Sequence, residues 1–239
     1  MAKKVFLGVG HGGKDPGAIG NGFHEADLNL SIALACQAEL VRHGVTVGMS
    51  RTKDENDDLN EEIRECNAFN PDLALDIHNN AGGGDGAEAF HHHGGGTGKT
   101  LAVNILDEIV KIGQNSRGAK IRKNANGDDY YGFIRLINCP SVIVECAFVD
   151  NATDIKCIDT AAEQKQMGIA LAKGILKTLG IAYKEQGTTE TPETNKTPNA
   201  PNTIHRVQVG AFKNLTYAQA MRDKLKADGY DAYIVSTTI

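Results

Sequence analysis

Two hydrophobic periods alternate along the first 183 residues, and this alternation leaves few folds open. Short runs read as strands: Lys4–Val9, Thr46–Ser50, Leu73–His78, Ala87–His92, Lys120–Asn124 and Ser141–Cys146. Between them, Asp27–His43, Leu59–Asn70, Leu101–Gly113 and Ala161–Leu179 repeat apolar residues at helical spacing and stop at glycine or before proline. In the first helix, Leu30, Ala33, Leu34, Leu40 and Val41 form the expected buried stripe. Strand–helix alternation of this kind predicts an α/β fold, a mostly parallel twisted sheet with helices on both faces. Strand ends in such a sheet converge on one crevice.

Polar residues sit where these runs end. His11 follows the first strand, within Gly10-His11-Gly12-Gly13 and ahead of Asp15-Pro16-Gly17-Ala18. Glu25 lies at the entrance to the first helix, where the macrodipole alone would also favour a carboxylate. His78 closes Leu73-Ala74-Leu75-Asp76-Ile77, and strand alternation puts Asp76 on the same face. Glu145 interrupts the apolar run from Val142 to Val149. A carboxylate there is costly unless paired or used, so its pKa is expected to rise, as suits a general base. An ion pair with Arg135 is the bland alternative. Two imidazoles and one carboxylate can hold Zn²⁺ with a position left for water, and a spare carboxylate can move protons. The four residues outline a metal-dependent hydrolase.

Other motifs weigh less. Consecutive residues of one strand cannot all face one ion, so His91-His92-His93 is not expected in the site. Gly94–Gly98 with Lys99-Thr100 lacks the glycine spacing of a phosphate-binding loop. The five cysteines form no CxxC pair and read as free thiols, mostly buried. Cys146, next to Glu145, is expected on the opposite face.

Composition changes after the last long helix. Lys184–Thr203 has no large apolar residue in its interior and reads as a linker between a catalytic domain, 1–183, and a tail, 204–239. In the tail, His205–Phe212, Thr216–Asp228 and Asp231–Val235 suggest a small β-α-β unit, with Thr216 as helix cap and Gly229 as stop. The net charge of −5 gives no electrostatic reason to bind nucleic acid or anionic membrane. No apolar stretch approaches the ~20 residues of a membrane span, and the N-terminus shows no secretory leader, so synthesis in the cytoplasm is expected.

Taken together, these strings resemble the zinc-dependent N-acetylmuramoyl-L-alanine amidases of the type-3 class. The resemblance rests on Gly-His-Gly-Gly-Lys-Asp-Pro-Gly-Ala (10–18), Glu25, Ser-Arg-Thr (50–52), Asp-Ile-His-Asn-Asn-Ala (76–81) and Pro-Ser-Val-Ile-Val-Glu-Cys-Ala-Phe-Val-Asp-Asn (140–151). Gly8-Val9 and Ala147 depart from the usual pattern without removing a ligand. The resemblance implies Zn²⁺ on His11, Glu25 and His78, Glu145 as catalytic carboxylate, and cleavage of the amide between N-acetylmuramic acid and L-alanine of peptidoglycan. Asn80 and Arg135 are candidate substrate contacts. Val207–Phe212 resembles the opening of a SPOR domain, a glycan-binding module. Only one of its two β-α-β halves is present, so pairing of two chains through the tail, a homodimer, is expected. The absence of a leader resembles phage endolysins, or autolysins released by cell lysis, that act on the cell wall. Two rival readings are a zinc carboxypeptidase or endopeptidase acting on the stem peptide, and a non-catalytic wall-binding protein.

Overall fold

The structure, a computed structural model, describes residues 2–56, 58–185, 215–227 and 233–234. It divides into two units, Met1–Thr188 and Thr189–Ile239.

In the first unit, β1 (Lys4–Val9), β4 (Thr46–Met49), β5 (Leu73–Asn80), β6 (Ala87–His91), β7 (Ser116–Lys120) and β8 (Ser141–Phe148) form one sheet in the order β4-β1-β5-β8-β6-β7. β4, β1, β5 and β8 run parallel. β6 runs antiparallel to β8 and parallel to β7. The reversal has a local cause. Only residues 81–86 join β5 to β6, too few for the helical crossover a parallel return needs, and β8 then enters between the two strands.

Helices cover both faces. α1 (Glu25–Arg42), α3 (Gly96–Lys111) and α5 (Ala161–Leu179) pack on one face, over Val5, Leu7, Val9, Leu75, Ile77, Val142, Val144 and Cys146. α2 (Leu59–Phe69) and the short α4 (Gly132–Leu136) cover the other, where Phe6, Ala74, Phe90 and Ile143 form a smaller core with Ile63, Cys66 and Phe133. Asp58 caps α2 by accepting from the N–H groups of Asn60 at 3.0 Å and Glu61 at 3.3 Å. Thr160 and Glu163 close a reciprocal capping box on α5. The mostly parallel α/β architecture agrees with the sequence reading.

Several boundaries differ from it, each for a physical reason. The stripe of α1 is Leu28, Ile32, Ala33, Cys36 and Leu40, while Leu34 and Val41 face solvent. The helix starts at Glu25 because the loop before it folds into a two-residue hairpin, β2 (Ile19–Gly20) and β3 (Phe23–His24). Asn21 and Gly22, both at positive φ, make its turn. α3 begins at Gly96 rather than Leu101, its poor helix formers held by packing of Gly98 against the Ser141 carbonyl. β7 lies at 116–120 rather than 120–124. It is an edge strand whose charged side chains, Arg117 and Lys120, give no apolar pattern to read.

In the second unit, α6 spans Leu215–Ala227, so Thr216, the expected cap, lies inside the helix. The expected strands at 205–212 and 231–235, the stop at Gly229 and the linker beyond Glu185 lie outside the described residues, apart from Tyr233 and Ile234, which carry no regular structure. No helix among the described residues is long and apolar enough to cross a membrane.

α5 approaches its neighbours through glycine. A Cβ at Gly174 would stand 2.6 Å from the Cα of Ile105, and one at Gly168 2.5 Å from the Ile32 carbonyl oxygen. Backbone cannot step aside as a flexible side chain can. Gly174→Val is therefore expected to lower unfolding free energy by about 1–3 kcal/mol or more, read from the midpoint of chemical denaturation.

Candidate metal centre

β1 delivers His11 to the rim, and the loop that carries it is braced from below. Arg51, buried, donates from Nε to the Val9 carbonyl at 3.0 Å, and from Nη2 to the carbonyls of Gly10 at 3.3 Å and Ala26 at 2.7 Å. Asn29 donates to the Gly10 carbonyl at 2.9 Å. Strand end and helix start are thus tied together. His11 itself sits at φ +63°, in the left-handed region that non-glycine residues rarely occupy, and this turns its imidazole toward Glu25.

Glu25 is the hub. It is buried, and Oε2 accepts from the Ala18 N–H at 2.9 Å while Oε1 accepts from the Asn79 N–H at 3.0 Å. His11 Nε2 lies 3.3 Å from Oε2 and His78 Nδ1 lies 3.0 Å from Oε1. The two rings meet edge to face, centroids 5.1 Å apart. Each ring's other nitrogen faces an acid: His11 Nδ1 is 2.8 Å from Asp15 Oδ2, and His78 Nε2 is 3.3 Å from Asp76 Oδ2. Carboxylates behind ligand imidazoles are how metal sites fix ring orientation and tautomer.

The electrostatics agree. Burial pushes the Glu25 carboxyl up, but hydrogen bonds from His11 and His78 overcome it and hold the group well below the usual carboxylate range. The Glu25 hydrogen bond raises His11 against the effect of burial, with Asp15 adding to it. Burial lowers His78, and Asp76 and Glu25 outweigh it to raise the ring well above its ordinary value. The pocket therefore calls for positive charge between the rings, which protons or a cation can supply.

A divalent ion fits these residues. His11, Glu25 and His78 each offer a ligand atom, all within 4.8 Å of one another. The space between them is kept clear by glycine. A Cβ at Gly10 would lie 2.1 Å from His78 Cε1, and one at Gly17 2.7 Å from both Glu25 Oε2 and His11 Cδ2. Two imidazoles and a carboxylate form the donor set of an open zinc site.

Glu145 stands beside this group. It is the register partner of His78 on β8, on the same face of the sheet, and Glu88 of β6 is its partner on the other side. Burial raises the Glu145 carboxyl to about 7; His78 opposes the rise, and Glu25, Asp76 and Glu88 reinforce it. Glu88 itself is neutralised by Arg117 Nε at 2.8 Å and by Lys120. Cys146 points into the opposite core, as alternation required.

The two candidate substrate contacts have local partners. Asn80 donates to Glu88 Oε1 at 3.1 Å at the rim. Arg135 donates from Nη1 to the carbonyls of Asp129 at 2.6 Å and Tyr130 at 3.0 Å. Among the described residues it makes no ion pair with Glu145, so that alternative explanation of Glu145 finds no support.

Similarity to known proteins agrees with the geometry. The N-acetylmuramoyl-L-alanine amidase family profile matches residues 5–177. This chain belongs to the N-acetylmuramoyl-L-alanine amidase family. A SPOR domain profile matches residues 201–239. Over 236 residues the amidase is 30% identical to N-acetylmuramoyl-L-alanine amidase CwlM of Bacillus licheniformis, covering 97% of this chain and 84% of that one. It is 31% identical to the endolysin of Bacillus phage SPP1 over 78% of this chain and 70% of the other. Among solved structures, Cwp6 from Clostridium difficile superposes with a TM-score of 0.74 at 37% identity, covering 75% of this chain and 30% of Cwp6. AmiC2 of Nostoc punctiforme gives 0.67 at 29% identity, over 74% and 97%. Hydrolysis of the peptidoglycan amide follows from the family, and the stem-peptide peptidase and the non-catalytic wall binder give way to it.

Sequence reasoning missed the supports of this amidase's site. Asn29 lies four residues after Glu25, one helical turn on, and donates to Glu25 Oε1 at 3.4 Å; that spacing was a usable signal. Arg51 stood within Ser-Arg-Thr (50–52), one of the strings behind the resemblance, but nothing there marked its bracing role; Glu88 carried no signal, since a glutamate within a strand looks like an ordinary surface residue. Gly10→Ala tests the cradle without backbone strain. The far-UV circular dichroism should stay unchanged while metal affinity falls by about 10–100-fold, the range found when a ligand's orientation is lost.

Proposed function

We propose that the amidase is a zinc enzyme in which His11, Glu25 and His78 hold the ion and Glu145 is the catalytic carboxylate. The observation that carries this reading is the register pair His78–Glu145, which sets a proton-accepting acid beside the three ligand residues on one sheet face. When bound, Zn²⁺ supplies Lewis acidity toward water and toward the amide carbonyl.

The chain's own residues do the rest. Glu145 takes a proton from the attacking water at the lactyl carbonyl of N-acetylmuramic acid. It then gives that proton to the departing amine of L-alanine, so the amide opens without net change in the enzyme. Its raised pKa suits both halves of the task, since an acid near neutrality gives up and accepts protons with little driving force either way. Asp15 and Asp76 keep the two imidazoles in place. Glu88, neutralised by Arg117 and Lys120, adds a polar wall to the row. The SPOR-like tail supports binding to the glycan, and pairing of two tails into a full module completes the proposal.

Four outcomes test it. Digestion of purified peptidoglycan by Glu145→Gln should fall roughly 10²–10⁴-fold while metal content, read by mass spectrometry, is unchanged. His78→Ala should lose both; a Glu145→Gln enzyme that still releases L-alanine amino groups at the normal rate sinks the base assignment. The pH profile follows from the sign of the shift. Glu145 accepts a proton only when ionised, so kcat/KM should climb with pH and level off at or below about 7, because a bound cation lowers the acid further. A chelator should abolish lysis, and added Zn²⁺ should restore it.

A further inference from the structure

β6 ends at His91, and just beyond it imidazoles and an acid meet a second time. His91 belongs to the strand: its side chain is buried on the α3 side and its Nδ1 bonds the His92 carbonyl at 2.9 Å. The chain then turns, with the Gly95 N–H donating to the His92 carbonyl at 2.9 Å. Strand alternation no longer applies to His92 and His93. Their rings stack, centroids 4.4 Å apart, and both reach Asp129. His92 Nε2 lies 3.2 Å and His93 Nδ1 3.0 Å from the same oxygen, Asp129 Oδ2.

Asp129 is buried and rigidly set, though it lies in the loop between β7 and α4. Its Oδ1 accepts from the His93 N–H at 2.8 Å, its carbonyl accepts from Arg135, and its backbone bridges to Lys123. The two rings are partly exposed, so an ion can reach them from solvent. One ligand atom from each of the three residues lies within 4.8 Å of the others, and the donor set is that of the catalytic group. The two groups are separate. On the paired strands β6 and β8, Glu88 faces Glu145 but His91 faces Val142, three residues and about 10 Å away.

We propose that His92, His93 and Asp129 form a second divalent-metal site, distinct from the catalytic centre and suited to borderline ions such as Zn²⁺, Co²⁺ or Ni²⁺. An ion bound there occupies His92 Nε2 and His93 Nδ1, the nitrogens that face Asp129, so each ring must carry its proton on its other nitrogen. In His92 the other nitrogen accepts from the Gly94 N–H at 3.0 Å. An ion on Nε2 moves the proton to Nδ1 and turns that exposed N–H to water. This exchange makes the second site the weaker of the two. Its ion ties the end of β6 to the loop that leads into α4, a stabilising role outside the reaction.

The test counts ions in the full chain. Protein stripped by chelator is dialysed against excess Zn²⁺, freed of unbound metal and assayed by mass spectrometry, with Co²⁺ absorption as a second readout. The wild type should hold two equivalents, the weaker lost first on dilution. His93→Ala and His92→Gln should each hold one and keep wild-type wall lysis. His78→Ala should hold one and lose lysis, and the double variant His78→Ala/His93→Ala should hold none. Saturation of the wild type at one equivalent, unchanged by His93→Ala and by His92→Gln, would overturn the second site. Loss of metal on His93→Ala but not on His78→Ala would instead overturn the catalytic centre and leave the second site standing.

Discussion

Everything at the rim depends on one buried carboxylate. Glu25 has left water, and an ionised acid in that position costs several kcal/mol unless its surroundings replace the lost solvent. Two backbone N–H groups, from Ala18 and Asn79, do part of this, and two imidazoles do the rest. Those four partners come from the glycine-rich loop, the end of β1 and the end of β5. Satisfying Glu25 therefore ties together the segments that carry His11, Glu25 and His78. Removing any one partner leaves the buried charge less well compensated, which couples the segments that supply them.

The same constraint explains the asymmetry of the sheet. One face is mostly apolar and carries α1, α3 and α5. The other changes along its length from a small hydrophobic core under α2 and α4 to a polar row, His78, Glu145 and Glu88, at the rim. Three neighbouring strands must each give a position to a titratable group. Glu88 is relieved by two cations; Glu145 is not, and its raised pKa is the sign of that. A group that binds its proton more tightly folded than unfolded weakens the metal-free fold as pH rises from about 4.5 to about 7. Function here is held at some expense of stability, which the large core opposite offsets.

Much of this was legible in the residues. Leu73–Ile77 could only be a buried strand, and His78 at its end, with Asp76 two places before, had to share a face. Glu145 announced itself by interrupting an apolar run. Other features depended on contacts between distant segments that no local pattern records. The phase of α1 differs from the apolar stripe because Ile32 and Cys36, not Leu34 and Val41, meet the backbone of α5 near Gly168. β7 escapes a reading by alternation because an edge strand takes its stability from ladder bonds and from Glu88, not from an apolar face. The rule that sets His92 and His93 aside is a rule for strands, and the strand stops just before them.

Anomalous diffraction from crystals of the zinc-loaded protein, collected on both sides of the zinc edge, addresses the central claim most directly. The account predicts an edge-specific peak about 2.0–2.2 Å from one nitrogen each of His11 and His78 and from a Glu25 oxygen, with Glu145 adjacent but not bonded to it. A zinc peak elsewhere with none among these three side chains, or a site in which Glu145 replaces Glu25 as ligand, would contradict it.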